Sequence, residues 1–184
     1  YIVRHTKLAI DNNVCYGQSN VPLAPNFLEE AKQIAAHLPE DIQAVYSSPL
    51  FRCTELAIEL GFDNYQIDPR LLELNFGEWE QKSWNEIPNN QLQPWMDDFV
   101  QTAPPLGENL NEMFERVQSF FAELKKSELE KVLIVTHGGV IRCLLAYILE
   151  FPLKNIFKVP VDFGEIYVLH LDKEYAYIKK IIRV

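Results

Sequence analysis

Two rhythms of apolar residues alternate along this chain. Short, mostly apolar runs over residues 2–5, 44–46 and 132–136 read as buried strands. Between them, apolar positions recur every three or four residues, as in amphipathic helices. The first such stretch carries Phe27, Leu28, Ala31, Ile34, Ala35 and Leu38, with Pro25 in its first turn. Ser47-Ser48-Pro49 supplies a cap and a proline for a second helix that runs to about Leu60 and stops at Gly61. A further strand is expected over 65–68, and a helix near 91–101 inside a region rich in Asn, Gln, Pro and aromatics. Helical spacing returns in Leu110, Met113, Phe114, Val117, Phe120, Phe121 and Leu124, an aromatic stripe of the core kind, and again from Gly139 to Leu149. Two late strands, 165–171 and 175–184, flank the turn Asp172-Lys173-Glu174 as a terminal hairpin. The alternation predicts an α/β three-layer sandwich with a mostly parallel central sheet, an antiparallel edge and helices on both faces.

Length changes the picture little: 184 residues suit a single domain, 1–184, with no repeat or linker. Charge changes it more. A formal charge of -9 argues against nucleic acid or an anionic membrane as partner, so any clustered arginines need a specific reason. No apolar run approaches the roughly 18 residues of a membrane span. Cys15, Cys53 and Cys143 are widely spaced and have no zinc-like spacing with the histidines, which reads as reduced thiols in a cytoplasmic protein. The sequence begins without Met and inside its first expected strand, so a few residues are expected to precede Tyr1.

Two of the predicted strands end on histidine. The first stops at Arg4-His5-Thr6, the other at Thr136-His137-Gly138-Gly139. In parallel α/β sheets, ligands bind beyond the carboxyl ends of the strands. A neutral imidazole is a nucleophile, and an adjacent guanidinium recognises phosphate or carboxylate. Taken alone, Arg4-His5 reads first as a surface arginine beside a satisfied core histidine. His137 is more pointed, because the glycine pair lets backbone approach a ligand and opens a helix whose N-terminus attracts anions. Arg52 sits early in a helix, where its charge opposes the macrodipole unless an anion is near. Glu73 lies among apolar residues in Leu71-Leu72-Glu73-Leu74 and is a candidate acid, with Glu78 and Glu80 as rivals. Phosphate-loop, dinucleotide, zinc-protease and nucleophile-elbow motifs are all missing.

Four blocks in order, Ile-Val-Arg4-His5-Thr6, Ser47-Ser48-Pro-Leu-x-Arg52-Cys-x-x-Thr, Leu-Leu-Glu73-x-x-Phe-Gly77-x-Trp-Glu80 and Val-Thr136-His137-Gly138-Gly139, resemble the histidine phosphatase superfamily, the phosphoglycerate-mutase-like fold. Arg-His-Thr followed by Cys15-Tyr16-Gly17-Gln18-Ser19-Asn20-Val21-Pro22-Leu23 is most similar to its α-ribazole phosphatase branch. The resemblance implies His5 as the nucleophile, His137 as stabiliser of the transferring group, and Arg4 and Arg52 on the phosphate oxygens. Glu73 would protonate the leaving alcohol and then activate water, with neither metal nor cofactor. It implies α-ribazole 5′-phosphate as substrate, in assembly of the cobalamin nucleotide loop, by a monomer or homodimer. Where the common pattern has Gly after the nucleophile and Asn six residues beyond it, this chain has Thr6 and Asp11. Phosphate contact is therefore expected from Gly17 and Gln18, and also from Gly138. Asn20 replaces a frequent Asp, and Gly107-Glu108 matches a family Gly-Glu without an assigned role.

The alternatives are a broad-specificity phosphatase of small metabolites, a mutase, and an inactive phosphate-binding domain. A mutase shields its phosphohistidine with covering segments, and here only 79–105 is available as a cap. An inactive domain is disfavoured because both histidines, both arginines and Glu73 are present.

Overall fold

In a computed structural model, which describes residues 1–172 and 175–184, six strands form one sheet. They are β1 (Ile2–Arg4), β2 (Ala44–Ser47), β3 (Gln66–Ile67), β4 (Val132–Thr136), β5 (Ile166–Leu171) and β6 (Ala176–Ile182), in the order β3-β2-β4-β1-β5-β6. The first four strands in that order run parallel. β5 runs antiparallel to β1, and β6 antiparallel to β5. Five helices accompany them: α1 (Phe27–Ala35), α2 (Phe51–Glu59), α3 (Asn89–Asp97), α4 (Leu110–Leu124) and α5 (Gly138–Leu149). The expected turn residues Lys173 and Glu174 lie outside the described residues.

Side-chain alternation along the strands builds three layers, because successive residues point to opposite faces. Ile2 and Ile134 face a core made with Met113, Val117, Phe120, Ile141 and Leu144 of α4 and α5. Their neighbours Val3, Leu133 and Val135 face the other core, made with Ala31, Ile34, Cys53, Leu56 and Ala57 of α1 and α2. Buried on both faces, the β4 run has to be continuously apolar.

Several local expectations shift. Ser47 and Ser48 do not cap α2, which starts at Phe51 behind Leu50 with no side-chain cap bond. Their hydroxyls go elsewhere: Ser47 donates to the Ser48 carbonyl (2.9 Å), and Ser48 faces His137. β3 keeps only two residues of the expected 65–68, both exposed, so little burial extends its pairing. α3 spans Asn89–Asp97 rather than 91–101, with Pro94 inside it and Asp98 leaving helical geometry. α4 begins as expected, fixed by a capping box between Asn109 and Glu112. The three cysteines are free and buried. No helix among the described residues is long and apolar enough to cross a membrane.

Candidate active site

The adjacent carboxyl ends of three parallel strands assemble the site. Arg4 pairs in register with Thr136, and the His5 amide donates to the Thr136 carbonyl (3.0 Å). The Ser48 amide donates to the Val135 carbonyl (3.0 Å). His5, His137 and Ser48 are thereby delivered to one spot at the sheet's edge, and the two imidazole centroids stand 5.2 Å apart.

Hydrogen-bond partners decide both tautomers. His5 Nδ1 lies 2.8 Å from the Thr6 carbonyl oxygen, which can only accept. Nδ1 therefore carries the proton, and Nε2 keeps the lone pair. For His137 the fixed donor is Arg52, whose Nε–H donates to Nδ1 (3.2 Å). Nε2 then holds the His137 proton, 2.7 Å from Ser48 Oγ.

Burial holds both imidazoles neutral. His5 is 1% exposed and His137 0%. Desolvation, then the charges of Arg52 and Arg4, push the His5 pKa well below the ordinary histidine range. His137 is lowered by desolvation first, then by Arg52, His5, Arg4 and Arg116. The sign of the linkage follows. Once the pH falls below about 6.5 the unfolded chain takes up protons at these positions that the folded chain refuses, so stability drops on acidification. The denaturant midpoint should fall between about pH 7 and pH 5, more steeply than in His5→Gln. Identical slopes would refute a neutral, buried His5.

Of the six arginines, Arg70, Arg116 and Arg183 pair with carboxylates. Among the described residues, Arg4, Arg52 and Arg142 pair with none, and all three converge here. Arg4 stacks on Phe163, 3.7 Å from the ring centroid, and donates from Nη1 to the Val161 carbonyl (2.5 Å). Arg52, 1% exposed, donates to the carbonyls of Gly17 (2.6 Å) and Ser19 (2.9 Å) as well as to His137. Arg142 donates from Nε to the Val159 carbonyl (2.9 Å). A Cβ at Gly138 would stand 3.3 Å from Arg4 Nε and 3.1 Å from Arg142 Nη1, so both guanidiniums flank the start of α5. Burial, and then Arg4, lower the Arg142 pKa, the cost of placing cations together without a counter-ion. Arg4 Nε and Thr6 Oγ1, on either side of His5, are buried with no hydrogen-bond partner among the described residues. Buried polar atoms usually have a partner, and these two are of the kind that pair with an anion's oxygens.

Glu73 reaches the same place from the stretch after Leu71. Its Oε1 accepts from the Leu74 amide (2.9 Å) and its Oε2 from the Gly139 amide (3.2 Å). Only glycine admits it, because a Cβ at position 139 would lie 2.2 Å from Oε1. The rivals are placed otherwise. Glu78 is exposed. Glu80 accepts from the Gln18 amide (2.8 Å), the Ser19 hydroxyl (2.6 Å) and the Phe76 amide (3.2 Å), which ties down the Gly17–Ser19 loop. Gly17 has φ +39°, where a side chain would also strike Glu80. Gln18 donates its amide to Glu80 and its side-chain nitrogen to the Glu73 carbonyl (2.8 Å), a bridge within the protein.

A cavity of about 220 Å³ opens beside Glu73 and Gly139, walled by Tyr16, Phe76, Trp84, Met113, Arg142 and Phe157. Arg142, Ser48 and Trp84 are residues that sequence reasoning missed. For Arg142 the available signal was its position one helical turn beyond Gly138.

A sequence profile of the histidine phosphatase superfamily (branch 1) matches residues 1–182. The chain belongs to this superfamily. It is a phosphatase with the phosphoglycerate-mutase-like α/β fold. Its relatives include a Hydrogenobacter thermophilus protein provisionally named phosphoserine phosphatase 2, 28% identical across 95% of this chain and 90% of that one. The adenosylcobalamin/alpha-ribazole phosphatase of Escherichia coli is 25% identical across 96% and 91%. Among solved structures, the alpha-ribazole phosphatase of Shigella flexneri superposes with a TM-score of 0.89, covering 97% of this chain and 93% of that one at 24% identity, a likeness of fold.

Proposed function

We propose that this phosphatase hydrolyses phosphomonoesters through a phosphohistidine on His5, with α-ribazole 5′-phosphate as its substrate. The observation that carries the chemistry is the His5 tautomer: Nδ1–H is held by the Thr6 carbonyl, which leaves the Nε2 lone pair free beside unpaired guanidiniums. In the first step Nε2 attacks phosphorus, the phosphorus–ester oxygen bond breaks, and the Glu73 carboxyl gives its proton to the departing alcohol oxygen. In the second step water attacks the phosphohistidine and passes a proton to Glu73. The phosphorus–nitrogen bond breaks and returns the pair to Nε2. Arg4 and Arg52 stabilise charge on the transferring group, the main requirement of phosphoryl transfer, and the His137 Nε2–H joins them where a phosphoryl oxygen takes the place of Ser48 Oγ. Two steps divide a barrier that is among the highest known for an uncatalysed reaction.

The aromatic lining of the cavity, Tyr16, Phe76, Trp84 and Phe157, supports a planar nucleoside as leaving group. Residues 79–105 then act as a partial cap, contributing Trp84. The name of the Escherichia coli relative, adenosylcobalamin/alpha-ribazole phosphatase, supports the same reading, under which the protein serves cobalamin assembly in the cytoplasm. One observation favours a second reading. Arg142 brings an unpaired cation to the cavity wall, which suits a small phosphorylated acid such as phosphoserine.

Phosphate release from a panel of α-ribazole 5′-phosphate, phosphoserine, phosphoglycerates, sugar phosphates and p-nitrophenyl phosphate tests both readings. A preference of about tenfold or more in kcat/KM for α-ribazole 5′-phosphate, unaffected by Arg142→Gln, is expected. A preference for phosphoserine that Arg142→Gln removes would select the second reading. Release from none of them would sink hydrolysis itself.

A further inference from the structure

The residues that carry Glu73 have no ladder to hold them. After the short 3₁₀ turn Pro69–Leu71, residues 72–76 belong to no helix or strand, yet they deliver the carboxyl to a position with almost no clearance. Backbone carbonyls in such a stretch need partners, and here one side chain collects them. Arg116, on α4, donates from Nη1 to the carbonyls of Arg70 (2.8 Å) and Leu72 (2.7 Å), and from Nη2 to that of Glu73 (3.1 Å). The same guanidinium is oriented by Glu108 through Nε–Oε2 (3.0 Å) and Nη2–Oε1 (2.6 Å). Glu108 Oε1 also accepts the Asn75 amide (3.0 Å), and the Glu108 amide donates to the Asn75 carbonyl (2.9 Å). One half-buried ion pair therefore fixes the backbone on both sides of Glu73, doing what strand neighbours do elsewhere.

We propose that Glu108 and Arg116 are positioning residues for Glu73. Neither is placed to touch substrate; together they set where the carboxyl stands relative to the Gly139 amide. The geometry is demanding because Oε1 lies 2.2 Å from where a Cβ at 139 would sit, so a small displacement of the Glu73 backbone moves the carboxyl off its two amide donors. This rests on Glu73 being the proton donor. It assigns a task to the Gly107-Glu108 pair, whose short match had carried none.

The test measures kcat/KM for two substrates on the same sample: the phosphomonoester of an unactivated alcohol that the wild type prefers, and p-nitrophenyl phosphate. Their ratio cancels any loss of folded protein. Misplacing an acid penalises only the poor leaving group, by an amount reaching ~10²-fold for about 1 Å. In Glu108→Gln and Arg116→Gln the ratio should fall at least about tenfold, with Arg116→Lys intermediate because an ammonium's three donors cannot serve three carbonyls and both Glu108 oxygens at once. In a Glu73→Gln background, neither change should lower the ratio further. Unchanged ratios in both single variants, with a lowered ratio in Glu73→Gln, would overturn the positioning role alone. So would a further fall on adding either change to Glu73→Gln. A Glu73→Gln ratio equal to that of the wild type would overturn the acid assignment, and this proposal with it.

Discussion

His5→Ala is expected to abolish turnover, by on the order of 10⁴-fold or more, the scale seen when a nucleophile is removed from a catalytic unit. The expectation rests on how the neighbouring groups are committed. His5 Nε2 is the one imidazole nitrogen of the pair with its lone pair free. On His137, Nδ1 accepts from Arg52 and Nε2 faces Ser48. The cysteine beside His137 offers no substitute, since burial pushes the Cys53 thiol up to about 12 and keeps it protonated. Acid-labile labelling after rapid mixing with substrate should vanish together with phosphate release. Labelling that persists in His5→Ala would transfer the nucleophile's role to another residue, and undiminished release would remove the phosphohistidine from the pathway.

Arg52→Met should come second in effect and, unlike the first, should damage stability as well as rate. The methionine is close in volume but removes the donor from three acceptors: the buried Gly17 carbonyl and His137 Nδ1, and the half-buried Ser19 carbonyl. Each unsatisfied group costs about 1–3 kcal/mol, so a marked drop in denaturant midpoint is expected. Turnover should fall about 10³-fold, since a preorganised donor to the transferring group, the His137 tautomer and the Gly17 loop are lost together. Arg52→Lys restores charge without the fork, so it should regain part of the affinity for inorganic phosphate while the midpoint stays low. A Met variant as stable as the wild type would show that the loop and His137 hold their places unaided. Wild-type kcat/KM in that variant would exclude Arg52 from the chemistry.

The order of strands and helices could be read from the chain because hydrophobic period is local. The β4 run and the spacing of Leu110 to Leu124 each state their conformation without help from distant residues. His5 and His137 were legible for the same reason, as each ends an apolar run and a strand end in a parallel sheet has a known place. Glu73 was legible only as one of three carboxylates. Its neighbours in sequence, Glu78 and Glu80, have the same chemistry, and their separation into an exposed residue, a loop anchor and a site residue depends on segments 62 and 66 positions away. Ser48 reads locally as a helix cap, since that is what Ser before Pro usually does. It lost that role to His137, a partner 89 residues distant. Arg142 and Arg116 look alike on their helix faces, and only packing shows that one has no carboxylate partner among the described residues while the other holds the chain around Glu73. The sequence by itself thus determined the layers, the strand ends and the two histidines that those ends bring face to face. Which carboxyl reaches them, which arginines stay unpaired and what walls the cavity were decided by tertiary structure, because burial and pairing are properties of neighbours in space.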